Sequence, residues 1–230
     1  MKRLAALLDD LIAPRGVKCY CCENSSEGDS LCPDCQRALK VLRLRGREAA
    51  CGAVYSAYRY DGVPRQLVLS LKYEGLAGAA EVLAQGMKDM LPAMNLPKDT
   101  ILTWVTMPER RRRERAIDHG YELCRALSEL SGLPMQRLLE RKGRTRTQRG
   151  LSREKRLRNL SGAFSCDVQL SGTVLLVDDV MTTGTTATVC TEALIKAGAA
   201  QVYVITATKA TIAAEREDMR KVDLNGLYTP

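Results

Sequence analysis

Asp178 and Asp179 are adjacent carboxylates, and the run Thr182-Thr183-Gly184-Thr185-Thr186 follows close behind them. Hydroxyls grouped around a glycine suit an anion. Backbone N–H groups at a helix start attract a phosphate, and threonine side chains add further donors. Gly184 lets the main chain approach closely. The two carboxylates cannot hold the phosphate themselves. At its rim they can accept hydrogen bonds from sugar hydroxyls or hold a phosphate-bound Mg2+. A second constellation lies near the start of the chain. Cys19 and Cys22 are separated by two residues, as are Cys32 and Cys35, and nine residues lie between the pairs. Two such knuckles offer four thiolates, the ligand set of a tetrahedral structural Zn2+ with no position left open for catalysis. Cys21 is a spare thiol that could replace Cys19 or Cys22, although a one-residue spacer fits a knuckle less well.

These residues need elements to position them. Val174 to Val177 is an apolar run that reads as a buried strand of a parallel sheet, with the acids at its carboxyl end. A helical pattern follows from Ala187 to Lys196. Strand, tight loop and helix together resemble the phosphoribosyl pyrophosphate (PRPP) loop of the type I phosphoribosyltransferases: apolar residues, two acids, then Thr-Thr-Gly-x-Thr. The resemblance implies that Asp178 and Asp179 contact the ribose hydroxyls. It also implies that Thr182, Thr183, Gly184, Thr185 and Thr186 bind the 5′-phosphate.

Elsewhere the pattern predicts an amphipathic helix over 4–12, a linker over 46–50 and a strand over 53–60. Helices are expected over 63–72 and 76–91, the second stopping at Pro92. A strand over 101–106 leads into Arg110-Arg111-Arg112-Arg113-Glu114-Arg115, placed to face the ligand crevice of an open α/β sheet. Phosphate binding and nucleic-acid binding are equally open for this run. Asp118 is a cap for a helix over 119–131, and His119, the only histidine, reads as a surface group at its start. Residues 137–158 are so basic that no core is expected there. They read as a mobile loop able to close over a polyphosphate or embrace a nucleic-acid backbone. A strand over 201–208 completes a repeated βαβ pattern. The predicted fold is α/β, a mainly parallel sheet flanked by helices, divided into a zinc-binding region at 1–48 and an α/β domain at 49–230.

The chain has 230 residues, enough for a core without disulfides, and a formal charge of +8 from 35 Lys+Arg and 27 Asp+Glu. That balance favours an anionic partner. Aromatic residues make up only 4%, few for a protein that stacks bases on aromatic platforms. Nine cysteines, an odd number, do not make a secreted disulfide framework. Neither a secretory signal nor a membrane span is legible, so a cytoplasmic location is expected.

The whole chain resembles the ComF family, the competence-protein F group. The likeness is carried by the cysteine knuckles, Leu71-Lys72-Tyr73-Glu74-Gly75, the arginine run, Arg146-Thr147-Gln148 and the PRPP-like loop. It is carried also by Leu151, Ser152, Arg156, Asn159, Ala163 and Phe164. Where the family usually shows Arg-Gly-Phe-Asn-Gln, this chain has Arg115-Ala116-Ile117-Asp118-His119, and Thr106 stands where a proline is common. The resemblance implies a type I phosphoribosyltransferase-like domain with a structural Zn2+ that binds PRPP with Mg2+. Lys72, Arg111, Arg112 and Arg146 join the PRPP site, Arg111 and Arg112 on the pyrophosphate side and Arg146 in the lid. Two activities follow as alternatives. One is phosphoribosyl transfer with release of pyrophosphate. The other is a non-catalytic module that senses PRPP or a nucleotide and holds single-stranded DNA beside competence and DNA-uptake proteins.

Overall fold

The computed structural model describes residues 18–26, 28–45, 50–51, 53–108, 117–141 and 162–210. In chain order the elements are α1 (Pro33–Val41), β1 (Ala50–Cys51), β2 (Val54–Arg59), α2 (Gly62–Leu69), a π-helical turn (Ser70–Glu74), α3 (Gly78–Lys88), α4 (Leu91–Met94), β3 (Ile101–Trp104), α5 (His119–Ser131), β4 (Glu140–Arg141), β5 (Phe164–Ser165), β6 (Thr173–Met181), α6 (Thr185–Lys196) and β7 (Gln201–Lys209). The main sheet has the order β1-β2-β7-β6-β3. The β2–β7, β7–β6 and β6–β3 pairs are parallel, and β1 is antiparallel to β2. The α/β class with a mainly parallel sheet is therefore the one expected.

The period of two along β6 shows why a continuous apolar run is needed. Leu175 and Val177 pack into one core, Val174 and Leu176 into the other. The first core holds α2, α3 and α5; the second holds α6 and the β4–β5 ribbon. Both faces are thus covered, and the carboxyl ends of β3 and β6 are left as the crevice.

The knuckle region shares the first core. Cys19, Leu31, Cys32 and Cys35 are buried with Ala57, Leu67 and Leu83. Tyr20 packs over the start of α3, where a Cβ added to Gly78 would lie 2.5 Å from its ring. Tyr58 makes a similar demand deeper in. A Cβ on Gly86 would fall 2.3 Å from the Tyr58 hydroxyl, and that tyrosine is buried. Gly86→Ala should therefore destabilise the fold by about 1–3 kcal/mol despite the better helix propensity of alanine. A urea midpoint no lower than wild type would contradict this contact.

Several expectations shift. The helix expected to stop at Pro92 ends at Lys88, and Pro92 sits instead in the first turn of α4, where its missing N–H costs nothing. The helix expected over 63–72 ends as α2 at Leu69 and widens into the π-helical turn. Ala50, placed in a linker, pairs with Tyr55. Leu138 and Leu139 lie inside the basic segment yet are fully enclosed in the second core, because β4 pairs with β5 over that face of the sheet. The expected helix over 4–12 and the rest of the basic segment, 142–158, lie outside the described residues.

Candidate functional site

The acids are set by β6. Asp178 is aligned with Thr206 on β7, and the strand continues to Met181. Successive side chains leave a strand on opposite faces. Asp178 follows the face of α6, and Asp179 follows the face of α2 and α5. Asp179 is buried, at 6% exposure, whereas Asp178 is partly accessible. Beneath them runs a buried hydroxyl chain: Thr208 Oγ1 donates to the Asp179 carbonyl at 3.0 Å, and Ser56 and Thr206 hydroxyls lie 2.7 Å apart. It fixes the strand under the acids.

Two nitrogen-bearing side chains reach Asp179. Lys72 Nζ is 2.6 Å from its Oδ2 and His119 Nε2 is 3.0 Å from the same oxygen. Lys72 comes from the π-helical turn, a local widening that aims its side chain at the sheet end, and Gly75 closes the turn in the left-handed conformation at φ 71°. His119 is the first residue of α5, whose cap Asp118 accepts from Tyr121 N–H at 3.2 Å. Neither contact is a well-aligned hydrogen bond, and the one to Lys72 is a close charge pair.

Protonation is split between the acids. Burial pushes the Asp179 carboxyl up, but the Lys72 charge and His119 more than offset it, so the group stays well below the usual carboxylate range. Asp178 is crowded by protein and repelled by Asp179. Its carboxyl is pushed up to about 7, even though the Asp179 N–H donates to its Oδ1 at 2.9 Å. A folded-state value above the unfolded one, about 3.9, means that folding favours the protonated acid. That contribution is present at low pH and fades as pH rises from about 4 to about 7. Asp178→Asn keeps the acceptor and removes the charge. It should melt above wild type at alkaline pH, with the gap closing toward pH ~5. Thermal melts over that range check it; a pH-independent gap would refute the assignment.

The threonine loop builds the cradle. Gly184 takes φ 73°, which only glycine adopts without strain, and stands at the N-cap of α6. Added Cβ space is ample there, so conformation alone demands the glycine. The helix begins at Thr185, two residues before the expected Ala187. Thr185 and Thr186 thus lie in the first turn, where amides lack intrahelical partners. Thr183 and Thr185 hydroxyls are 2.9 Å apart, and Thr182 and Thr183 are exposed. The arrangement offers main-chain donors and hydroxyls to an anion beside a carboxylate pair.

The second constellation closes as its spacing predicts. The sulfurs of Cys19, Cys22, Cys32 and Cys35 all lie within 4.8 Å of one another, and Cys22 and Cys32 Sγ are 3.6 Å apart. A tetrahedron with Zn–S of about 2.3 Å has edges of roughly 3.8 Å. The donor set could hold a zinc ion. Cys32 is the N-cap of α1 and Cys35 lies on its first turn, while Cys19 and Cys22 bracket a tight turn in which Glu23 N donates to Cys19 O. Burial opposes a thiolate at Cys19. The amides of Cys32, Cys21 and Cys22 directed at its sulfur more than compensate, and the thiol falls to about 7. Cys21 stands outside the cluster, and burial raises it to about 11.

Of the expected site residues, the structure joins Lys72 to Asp179 and sets the threonine loop at the end of the same strand. Arg111, Arg112 and Arg146 lie outside the described residues. His119 is the site residue that was read as a surface group. Its signal was its place directly after a helix cap at the sheet crevice, among the four residues that depart from the family pattern. Among the described residues, no helix is long and apolar enough to cross a membrane.

No family model matches the chain. It is similar to curated relatives named DNA utilization protein YhgH. The one from Salmonella typhi is 28% identical over 200 residues, 82% of this chain and 88% of the relative. The one from Salmonella typhimurium is 29% identical over 202 residues, with the same shares. The chain is ComF-like. Similar solved structures include glutamine PRPP amidotransferase from B. subtilis, at 19% identity and TM-score 0.41, and an allosteric regulatory enzyme of purine biosynthesis, at 19% and 0.39. The aligned part is 61% of this ComF-like chain but only 30% of each of those chains.

Proposed function

We propose that this ComF-like protein binds PRPP with its Mg2+ at the end of β6 and transfers the phosphoribosyl group to a nitrogenous acceptor, releasing pyrophosphate. The observation that carries the reading is the threonine cradle at the start of α6 set directly beside a carboxylate pair of split protonation. The loop from Thr182 to Thr186 takes the 5′-phosphate through amides and hydroxyls. Asp178, the accessible acid, accepts from the ribose diol. Asp179 holds Lys72 in reserve, and the ligand's pyrophosphate draws that ammonium across. Mg2+ arrives as the counter-ion of the pyrophosphate and neutralises part of its charge.

In the transfer, the acceptor's lone pair forms a bond to ribose C1 as the bond from C1 to the pyrophosphate oxygen breaks. The pair of electrons leaves with pyrophosphate. The ring passes through oxocarbenium character, which the neighbouring carboxylates stabilise. The acceptor's proton passes to solvent.

A second reading has an observation of its own. His119 and Lys72 both occupy Asp179, and His119 belongs to the four residues that depart from the family pattern. A module that binds PRPP without turnover, retains single-stranded DNA on its basic surface and serves the DNA utilization for which its relatives are named fits that departure. Calorimetric titration with Mg2+-PRPP, followed by assay of pyrophosphate release with a panel of acceptors, separates the two. Saturable binding with release supports the transferase, binding alone supports the module, and no binding refutes both. For the cysteine cluster we propose structural zinc.

A further inference from the structure

Beside the acid site, past the end of β3, lies a cleft of about 270 Å3 lined by Trp104, Thr106, Met107, Asp118, Tyr121 and Arg137. Trp104 is 7% exposed and Thr106 4%. Their indole Nε1 and hydroxyl Oγ1 are both buried, and neither has a hydrogen-bond partner among the described residues. Buried polar groups are seldom left so, and two at one cleft point to an occupant that satisfies them. The indole N–H can only donate, so the occupant brings an acceptor there. Asp118 already accepts from Tyr121 N–H through Oδ1, and its carboxylate has lone pairs left for a donor. An occupant with donors and acceptors along one edge meets both conditions.

The aromatic geometry narrows the shape. Tyr121 meets Trp104 edge-on, with centroids 5.4 Å apart and planes at 71°, and remains 39% exposed. The exposed part of that residue offers a flat group an aromatic surface at the cleft, and stacking on tyrosine is tolerant of ring type. Arg137 is exposed at the mouth and carries the fork that grips phosphate oxygens. We infer that this cleft binds a nucleobase with its attached phosphate, either a free nucleotide or one residue of a DNA strand. The inference goes beyond the PRPP reading and does not rest on it, because Asp178, Asp179 and the threonine loop take no part.

Trp104 is the only tryptophan in the chain, so intrinsic emission reports on this cleft. The full chain is titrated, without PRPP, with dTMP, with oligothymidylate and with ribose 5-phosphate. A saturable change with dTMP or oligothymidylate, and none with ribose 5-phosphate, is expected. Equal affinity for the two thymine ligands marks the free nucleotide as the source; tighter binding of the strand marks DNA. Tyr121→Ala should weaken binding roughly tenfold. Thr106→Val, which removes an unsatisfied hydroxyl at nearly constant shape, should weaken it about fivefold while melting no lower than wild type. Should Tyr121→Ala fail to fold, Thr106→Val still decides. No change in emission at millimolar thymine ligand, an equal change with ribose 5-phosphate, or undiminished affinity in Thr106→Val overturns the inference.

Discussion

Cys32→Ser should abolish the zinc binding proposed for the cysteine cluster and lower the melting temperature by roughly 10 °C. Structural zinc contributes about 10–16 kcal/mol of binding free energy to small metal-folded units, and that free energy is coupled to folding. Losing about a third of it, at roughly 2–4 °C per kcal/mol for a chain of this size, gives the stated drop. The position is severe for two reasons. Cys32 belongs to the proposed ligand set and packs in the core shared with Leu67 and Leu83, and a serine at this N-cap could cap α1 but supplies no thiolate. The turn it faces holds Glu23 at φ 61°, a left-handed conformation that a non-glycine residue adopts at a cost, which the closed cluster helps to meet. Burial and the neighbouring sulfurs push the Cys35 thiol far up, so a cation among the sulfurs is what would hold that one as a thiolate. Wild-type protein should carry close to one zinc per chain by elemental analysis, and Cys21→Ser should keep it. Full zinc content in Cys32→Ser would dismiss this ligand set.

How far the sequence reaches depends on the range of the interaction. The strand Val174 to Val177 and the period-two split of its side chains were legible because a strand buried on both faces must be apolar throughout. The four cysteines were legible because a metal converts sequence spacing into geometry. The cap at Asp118 and the helix over 119–131 follow from local chemistry, and they agree with the structure residue for residue. What escaped depends on distant partners. His119 looks like any residue at a helix start until β6 brings Asp179 to it across the sheet end. Leu138 and Leu139 sit among arginines, and only the pairing of β4 with β5 shows that this short piece turns inward. The opposed faces of Asp178 and Asp179 were implicit in the alternation, yet the acids were read as a matched pair at a rim. Extending β6 through both of them makes one accessible and buries the other.

That division leads to the second large effect. Asp179→Asn should cut PRPP affinity by at least about thirtyfold and also destabilise the fold by about 3–5 kcal/mol. The stability loss arises because Lys72 and His119, at 19% and 15% side-chain exposure, would face each other without the carboxylate between them. The affinity loss arises because the ammonium of Lys72 would no longer be held ready for a pyrophosphate, a charge-assisted contact of about 2 kcal/mol. The two effects separate in Lys72→Met combined with Asp179→Asn. Removing the orphaned ammonium should restore most of the stability, as replacement of both members of a buried pair often does. It cannot restore binding, because the cation meant for the ligand is gone. Urea melts and calorimetry on the single and double variants measure the two effects independently. If Asp179→Asn binds PRPP as tightly as wild type, Asp179 and Lys72 form a structural brace and the ligand site must be sought elsewhere. If the double variant recovers binding along with stability, the affinity loss was a consequence of local unfolding, and Lys72 has no part in holding the phosphorylated sugar.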